Sequence, residues 1–143
     1  MSQHIVEIVH REEFSSAHRL VSASLTDEEN RALYGPCYSL HGHNYAVEVT
    51  VRGPVRAETG MVMDLNRLMA LMQEHIVSEV DHKYLNDDVP YLEGVITTAE
   101  NLAIAFWRRL HPHIAAFEPC LLHRIRVYES RLNFADYHGP TAG

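Results

Sequence analysis

Alternation of apolar and polar positions is clearest from Asn44 to Arg52, where Tyr45, Val47, Val49 and Val51 interleave with Ala46, Glu48 and Thr50. A period of two belongs to a strand with one buried face. Ile5 to about Phe14 is β-rich enough for another strand, and Arg124 to Glu129 and Phe134 to Tyr137 predict two more near the C-terminus. Between these the period changes. Leu65, Leu68, Met69, Met72, Ile76 and Val80 recur at helical spacing behind Asp64, which predicts a helix from Asp64 to Val80 with an Asp cap. A second helix is predicted from the capping box Thr97-Thr98-Ala99-Glu100; it carries Leu102, Ala105, Phe106 and Leu110 and is expected to end before Pro112. Thr26-Asp27-Glu28-Glu29 predicts a short helix closed by Gly35-Pro36. The order ββααββ predicts an α+β domain, an antiparallel four-stranded sheet with helices on one face. Such a sheet leaves its edges uncovered, which predicts oligomerisation through them.

Composition narrows the class. The chain has 143 residues, 46% apolar and 22% charged, and no internal repeat or linker, so 1–143 reads as one domain. No apolar run approaches the roughly 20 residues of a membrane span, and Glu7, Arg11 and Glu12 interrupt the N-terminus where a signal peptide has its apolar core. A cytoplasmic protein with no membrane partner is the expectation. Nineteen acidic against twelve basic residues give a net charge of -7, which argues against nucleic acid as a partner. The two cysteines, Cys37 and Cys120, read as thiols. Eleven histidines are an unusual excess, and they direct attention to metal or proton-transfer chemistry.

The sharpest local pattern is Cys37-Tyr38-Ser39-Leu40-His41-Gly42-His43-Asn44-Tyr45. On an extended segment His41 and His43 point to one face, and His18, near the preceding strand, can lie beside them in an antiparallel pair. Three imidazoles with an open fourth position suit catalytic zinc; the alternative is a surface or satisfied-core histidine pair. Asp81-His82 directly follows the first long helix, where a carboxylate can orient an imidazole for proton transfer or be ordinary solvated polarity. Glu129 shares strand parity with Ile125 and Val127, so its carboxylate lies on the apolar face. Two adjacent N–H groups of a purine or pterin would satisfy it, as would an internal arginine such as Arg124 or Arg126.

Six blocks, Phe14 to Leu20, Cys37 to Tyr45, Thr59 to Leu65, Asp81 to Asn86, Thr97 to Asn101 and Val127 to Glu129, together resemble the 6-pyruvoyltetrahydropterin synthase family in order and spacing. The resemblance spans about Phe14 to Gly139. It implies a T-fold (tunnelling fold) subunit, trimers that join their sheets into a barrel, and two trimers stacked as a hexamer. It implies 7,8-dihydroneopterin triphosphate as substrate and Zn2+ held by His18, His41 and His43. By the same match Cys37 is the catalytic thiol, Asp81 and His82 the proton relay, and Glu129 the carboxylate that anchors the pterin. Thr98 and Glu100 fall in the pterin-side motif. The Cys-x3-His spacing is shorter than in typical animal 6-pyruvoyl synthases and looks like the bacterial 6-carboxytetrahydropterin synthases of the queuosine pathway. HGHNY, the Thr26 to Asn30 stretch and Asp87 to Asn101 look like the 6-pyruvoyl branch, and Ala99 stands where relatives usually carry Thr or Ser. A non-catalytic zinc- or pterin-binding relative would keep the fold but need a lost acid or base, and all three candidates are present. A cupin barrel fits Gly35-x5-His41-Gly42-His43-x4-Glu48 but not the two long helices.

Overall fold

The computed structural model describes residues 3–141. Two long strands form its centre, β1 (Ile5–His18) and β2 (His41–Pro54), antiparallel along their whole length from Ile5 opposite Pro54 to His18 opposite His41. On the other side of β2 run β4 (Leu121–Ser130) and β5 (Asn133–Tyr137), both antiparallel. A two-residue β3 (Lys83–Tyr84) adds a fifth, parallel strand on the outer side of β1, giving the order β3-β1-β2-β4-β5. The four expected strands are therefore present, each beginning earlier or reaching further than its periodic stretch. β3 is too short to show a period.

Helices cover the face that carries the β2 apolar residues. α1 (Asp27–Tyr34) has the full capping box between Thr26 and Glu29. α2 (Leu65–Met72) starts at Asp64, whose carboxylate accepts the Asn66 amide hydrogen bond; a π turn (Gln73–Val77) and α3 (Ser78–Val80) continue it. α4 (Ala99–Ile114) packs mainly on β4 and β5. Leu68, Met72, Ile76, Val80, Leu102, Phe106 and Leu110 are buried against Val47, Val49, Val51, Ile125 and Val127. Each such side chain contributes roughly 1.5 to 3 kcal/mol of hydrophobic stabilisation.

Two local expectations need correction. Pro112 lies inside α4, which runs on to Ile114. The proline removes the bond to the carbonyl of residue 108, on an exposed stretch where water can replace it, and fully buried Ile114 holds the last turn in place. The cap of α4 is Thr98, paired with Asn101, not a Thr97–Glu100 box.

Candidate metal centre

The register of β1 and β2 builds the site. Ser16 faces His43 and His18 faces His41 across the ladder, so the side chains of His18, His41 and His43 gather at one end of the sheet on its helix-covered side. Their ring centroids are 4.6 to 5.1 Å apart and each pair meets edge to face. The available ligand atoms all lie within 4.8 Å of one another, and no other group of three His, Cys, Asp or Glu among the described residues comes as close.

The hydrogen bonds fix which nitrogen is free. Nδ1 of His18 donates to the Thr97 carbonyl at 2.9 Å, with the Thr97 hydroxyl at 3.1 Å and the Tyr45 hydroxyl at 3.3 Å. Nδ1 of His41 donates to the Ser39 carbonyl at 2.6 Å. Nε2 of all three histidines is buried and has no hydrogen-bond partner. Buried nitrogens without partners are costly, and three that converge, two with Nδ1–H held by a carbonyl, are what a divalent ion bound by imidazole requires. Zinc, with Zn–N about 2.0 to 2.1 Å and a tolerance for three protein ligands plus one open position, fits this donor set. Burial pushes the His18 imidazole down to about 4, despite the opposing Thr97 bond, and also lowers His43, so both are neutral at physiological pH and able to ligate.

Glu129 lies on the same face, next in line after buried Ile125 and Val127, and its carboxylate is 3.5 Å from Nε2 of His43. It lines a cleft of about 440 Å³ with His43 and Tyr45, opened because β2 and β4 stop pairing beyond Ala46 and Tyr128. Neither arginine proposed as an alternative partner reaches it. Arg126 is bound by Asp136 at 2.7 and 2.9 Å, and Arg124 forms no ion pair among the described residues.

Asp81 and His82 form a pair, Nδ1 of the imidazole 3.0 Å from the carboxylate. Both are tied to Ser15: its N–H donates to Asp81 at 2.9 Å and its carbonyl accepts from His82 N–H at 2.6 Å. The Ser15 bond is the main reason that the Asp81 carboxyl is held below its usual range. His82 adopts φ 59, a left-handed backbone that a non-glycine residue keeps only when its surroundings impose it, and its ring is 82% exposed. It shares a groove with His43. Cys37 lies half-buried in the 3-10 turn Gly35–Tyr38, outside the three-histidine cluster. Thr98 uses its hydroxyl to cap α4, and Glu100 is exposed in the first turn of that helix. Among the described residues neither bonds to the histidines. Thr97 and Tyr45 are the site residues that sequence reasoning missed. In the sequence Thr97 reads as a helix cap and Tyr45 as part of the apolar core, where it does stack on Phe14 at 5.0 Å.

A family profile described as 6-pyruvoyl tetrahydropterin synthase matches residues 7–140. A 6-pyruvoyl tetrahydrobiopterin synthase from Dictyostelium discoideum is 41% identical over 139 residues, covering 97% of this chain and 99% of its own. A putative 6-carboxy-5,6,7,8-tetrahydropterin synthase from Archaeoglobus fulgidus is 31% identical over 116 residues, covering 81% of this chain and 90% of its own. The solved structure of Caenorhabditis elegans 6-pyruvoyl tetrahydropterin synthase superposes with a TM-score of 0.90 at 34% identity, covering 98% of this chain and 100% of that one. Fold, sequence and site agree, and the chain belongs to the 6-pyruvoyl tetrahydropterin synthase family.

Proposed function

We propose that this protein is a 6-pyruvoyltetrahydropterin synthase, a carbon–oxygen lyase that releases triphosphate from 7,8-dihydroneopterin triphosphate and rearranges the remainder without an external oxidant or reductant. The observation that carries the reading is the convergence of three unpartnered Nε2 atoms beside a carboxylate on the apolar face, in a chain of this family. A higher identity over more of the chain favours the 6-pyruvoyl over the 6-carboxy branch, against which only the short Cys37-to-His41 spacing stands.

His18, His41 and His43 would hold Zn2+, which supplies Lewis acidity for the side-chain hydroxyls of the substrate. Glu129 accepts two pterin N–H groups and orients the ring, with Thr98 and Glu100 on the pterin side. Cys37 as thiolate removes a side-chain proton, and the Asp81–His82 pair carries protons on the other face. Moving the C1′ proton to ring C6 and the proton of the C1′ hydroxyl to N5 makes C1′ a ketone and reduces the ring imine. Loss of the C2′ proton and of triphosphate from C3′ leaves an enol that tautomerises to the methyl ketone. Electrons balance within one molecule, so no nicotinamide or flavin is needed.

An oligomer, trimers closing a barrel and stacking as a hexamer, fits the outer edge of β1 before Ser16, the outer edge of the short β5, both unpaired among the described residues, and the exposure of the His82 ring. A cytoplasmic location fits the two free thiols. No helix among the described residues is long and apolar enough to cross a membrane. The test is release of inorganic triphosphate from the substrate by protein stripped with a chelator and then reloaded with zinc. Release that returns with zinc supports the reading; none from the zinc-loaded protein would leave a non-catalytic pterin binder.

A further inference from the structure

Of the twelve lysines and arginines, Arg11, Arg109 and Arg126 are matched by carboxylates. Arg19 and Arg31 are not, among the described residues, yet they converge on one ring. The guanidinium of Arg19 is 4.1 Å from the Tyr38 ring centre and that of Arg31 5.8 Å. Two like charges drawn together without a counterion repel unless something negative joins them.

Arg19 is held for this position. Its Nε–H donates to the Tyr38 carbonyl at 2.9 Å, and its backbone is clamped by the Asn86 amide in both directions, at 3.1 and 2.9 Å. Its terminal NH2 groups have no partner among the described residues. Asp27 accepts the Tyr38 hydroxyl at 2.8 Å but ion-pairs with neither arginine. Arg19, Arg31, Tyr38, Ser39 and Tyr84 line a groove of about 560 Å³. Tyr84 also walls the groove of His43, His82 and Lys83, so the two grooves share one side chain between the candidate site and the arginine pair. The groove begins one residue from His18, and Ser39 itself holds His41.

We propose that this groove binds the triphosphate of the substrate, with Arg19 and Arg31 as its anchoring pair and Lys83 along the way. The inference rests on the proposed function, since the leaving group departs from C3′, next to the side-chain carbons that react. A planar fork with two free NH2 groups binds phosphate oxygens bidentately, and an aromatic face beneath it keeps the fork in place.

The test titrates inorganic tripolyphosphate calorimetrically into the wild type, Arg19→Gln and Arg31→Gln, with neopterin, which lacks phosphate, as the control ligand. The Arg31 side chain makes no hydrogen bond among the described residues, only its backbone serving α1, so its substitution keeps the experiment readable if Arg19→Gln folds poorly. Tripolyphosphate affinity is expected to fall about tenfold or more in each variant, with neopterin affinity unchanged and the KM for dihydroneopterin triphosphate raised. A wild type that does not bind tripolyphosphate, or variants that bind it equally well, would overturn the proposal. Turnover with KM untouched by either substitution defeats the groove alone; weakened tripolyphosphate binding in a protein without turnover defeats the enzymatic reading and leaves a polyanion site.

Discussion

Replacing Glu129 by alanine should weaken pterin binding strongly and leave the fold nearly intact. The side chain is 30% exposed, the imidazole 3.5 Å away is the neutral ring of His43, and the nearby arginines are bound elsewhere or unpaired with it among the described residues. Truncation therefore strands no buried cation, and the change in stability should stay within about 1 kcal/mol. On the ligand side, two charge-assisted hydrogen bonds are lost, each about 1.5 to 3 kcal/mol; partial rehydration of the pterin N–H groups returns some of that. A net loss of about 3 kcal/mol corresponds to roughly a hundredfold rise in the neopterin Kd. Fluorescence titration and thermal unfolding of the same zinc-loaded variant give both quantities. A Tm lowered by several degrees with unchanged neopterin affinity would refute the anchor and make Glu129 a structural carboxylate.

Further outcomes follow from other parts of the molecule. Cys37→Ala should retain zinc and Tm, because the thiol lies outside the histidine cluster, while turnover drops about a hundredfold as expected on removing a positioned base; metal analysis and a rate assay check this. The metal-free protein should lose stability as pH falls. His18 titrates near 6.5 when unfolded and about 4 when folded, so below 6.5 the unfolded chain binds the extra proton, and up to about 3 kcal/mol is lost by pH 4, measurable by urea unfolding at the two pH values. Gly139→Ala should destabilise by about 1 to 3 kcal/mol in thermal or denaturant unfolding, because a Cβ would lie 2.5 Å from the Trp107 ring and φ is +88.

The inward face of the sheet was legible because strand parity is a local property. Tyr45, Val47, Val49 and Val51 alternate in the sequence and are buried in the fold, and the same parity turns Glu129 inward. The pairing of His18 with His41 was inferable because antiparallel strands of equal length bring together the end of one and the start of the next. The role of Thr97 was hidden. Thr97 and Thr98 both look like helix caps, and only the three-dimensional approach of the α4 entry to β1 shows that one caps while the other holds an imidazole. The π turn from Gln73 to Val77 was equally hidden, since one extra residue per turn leaves Ile76 and Val80 on the buried stripe. Arg19 and Arg31 are twelve residues apart, and nothing periodic links them; Tyr38 brings them together in space.

The most direct test of the central claim is the mass of the product formed when the zinc-loaded protein consumes 7,8-dihydroneopterin triphosphate. The account expects one equivalent of inorganic triphosphate and a pterin with the mass of the 6-pyruvoyl compound. Recovery of unchanged substrate, or of a pterin shortened to the 6-carboxy compound, would contradict it.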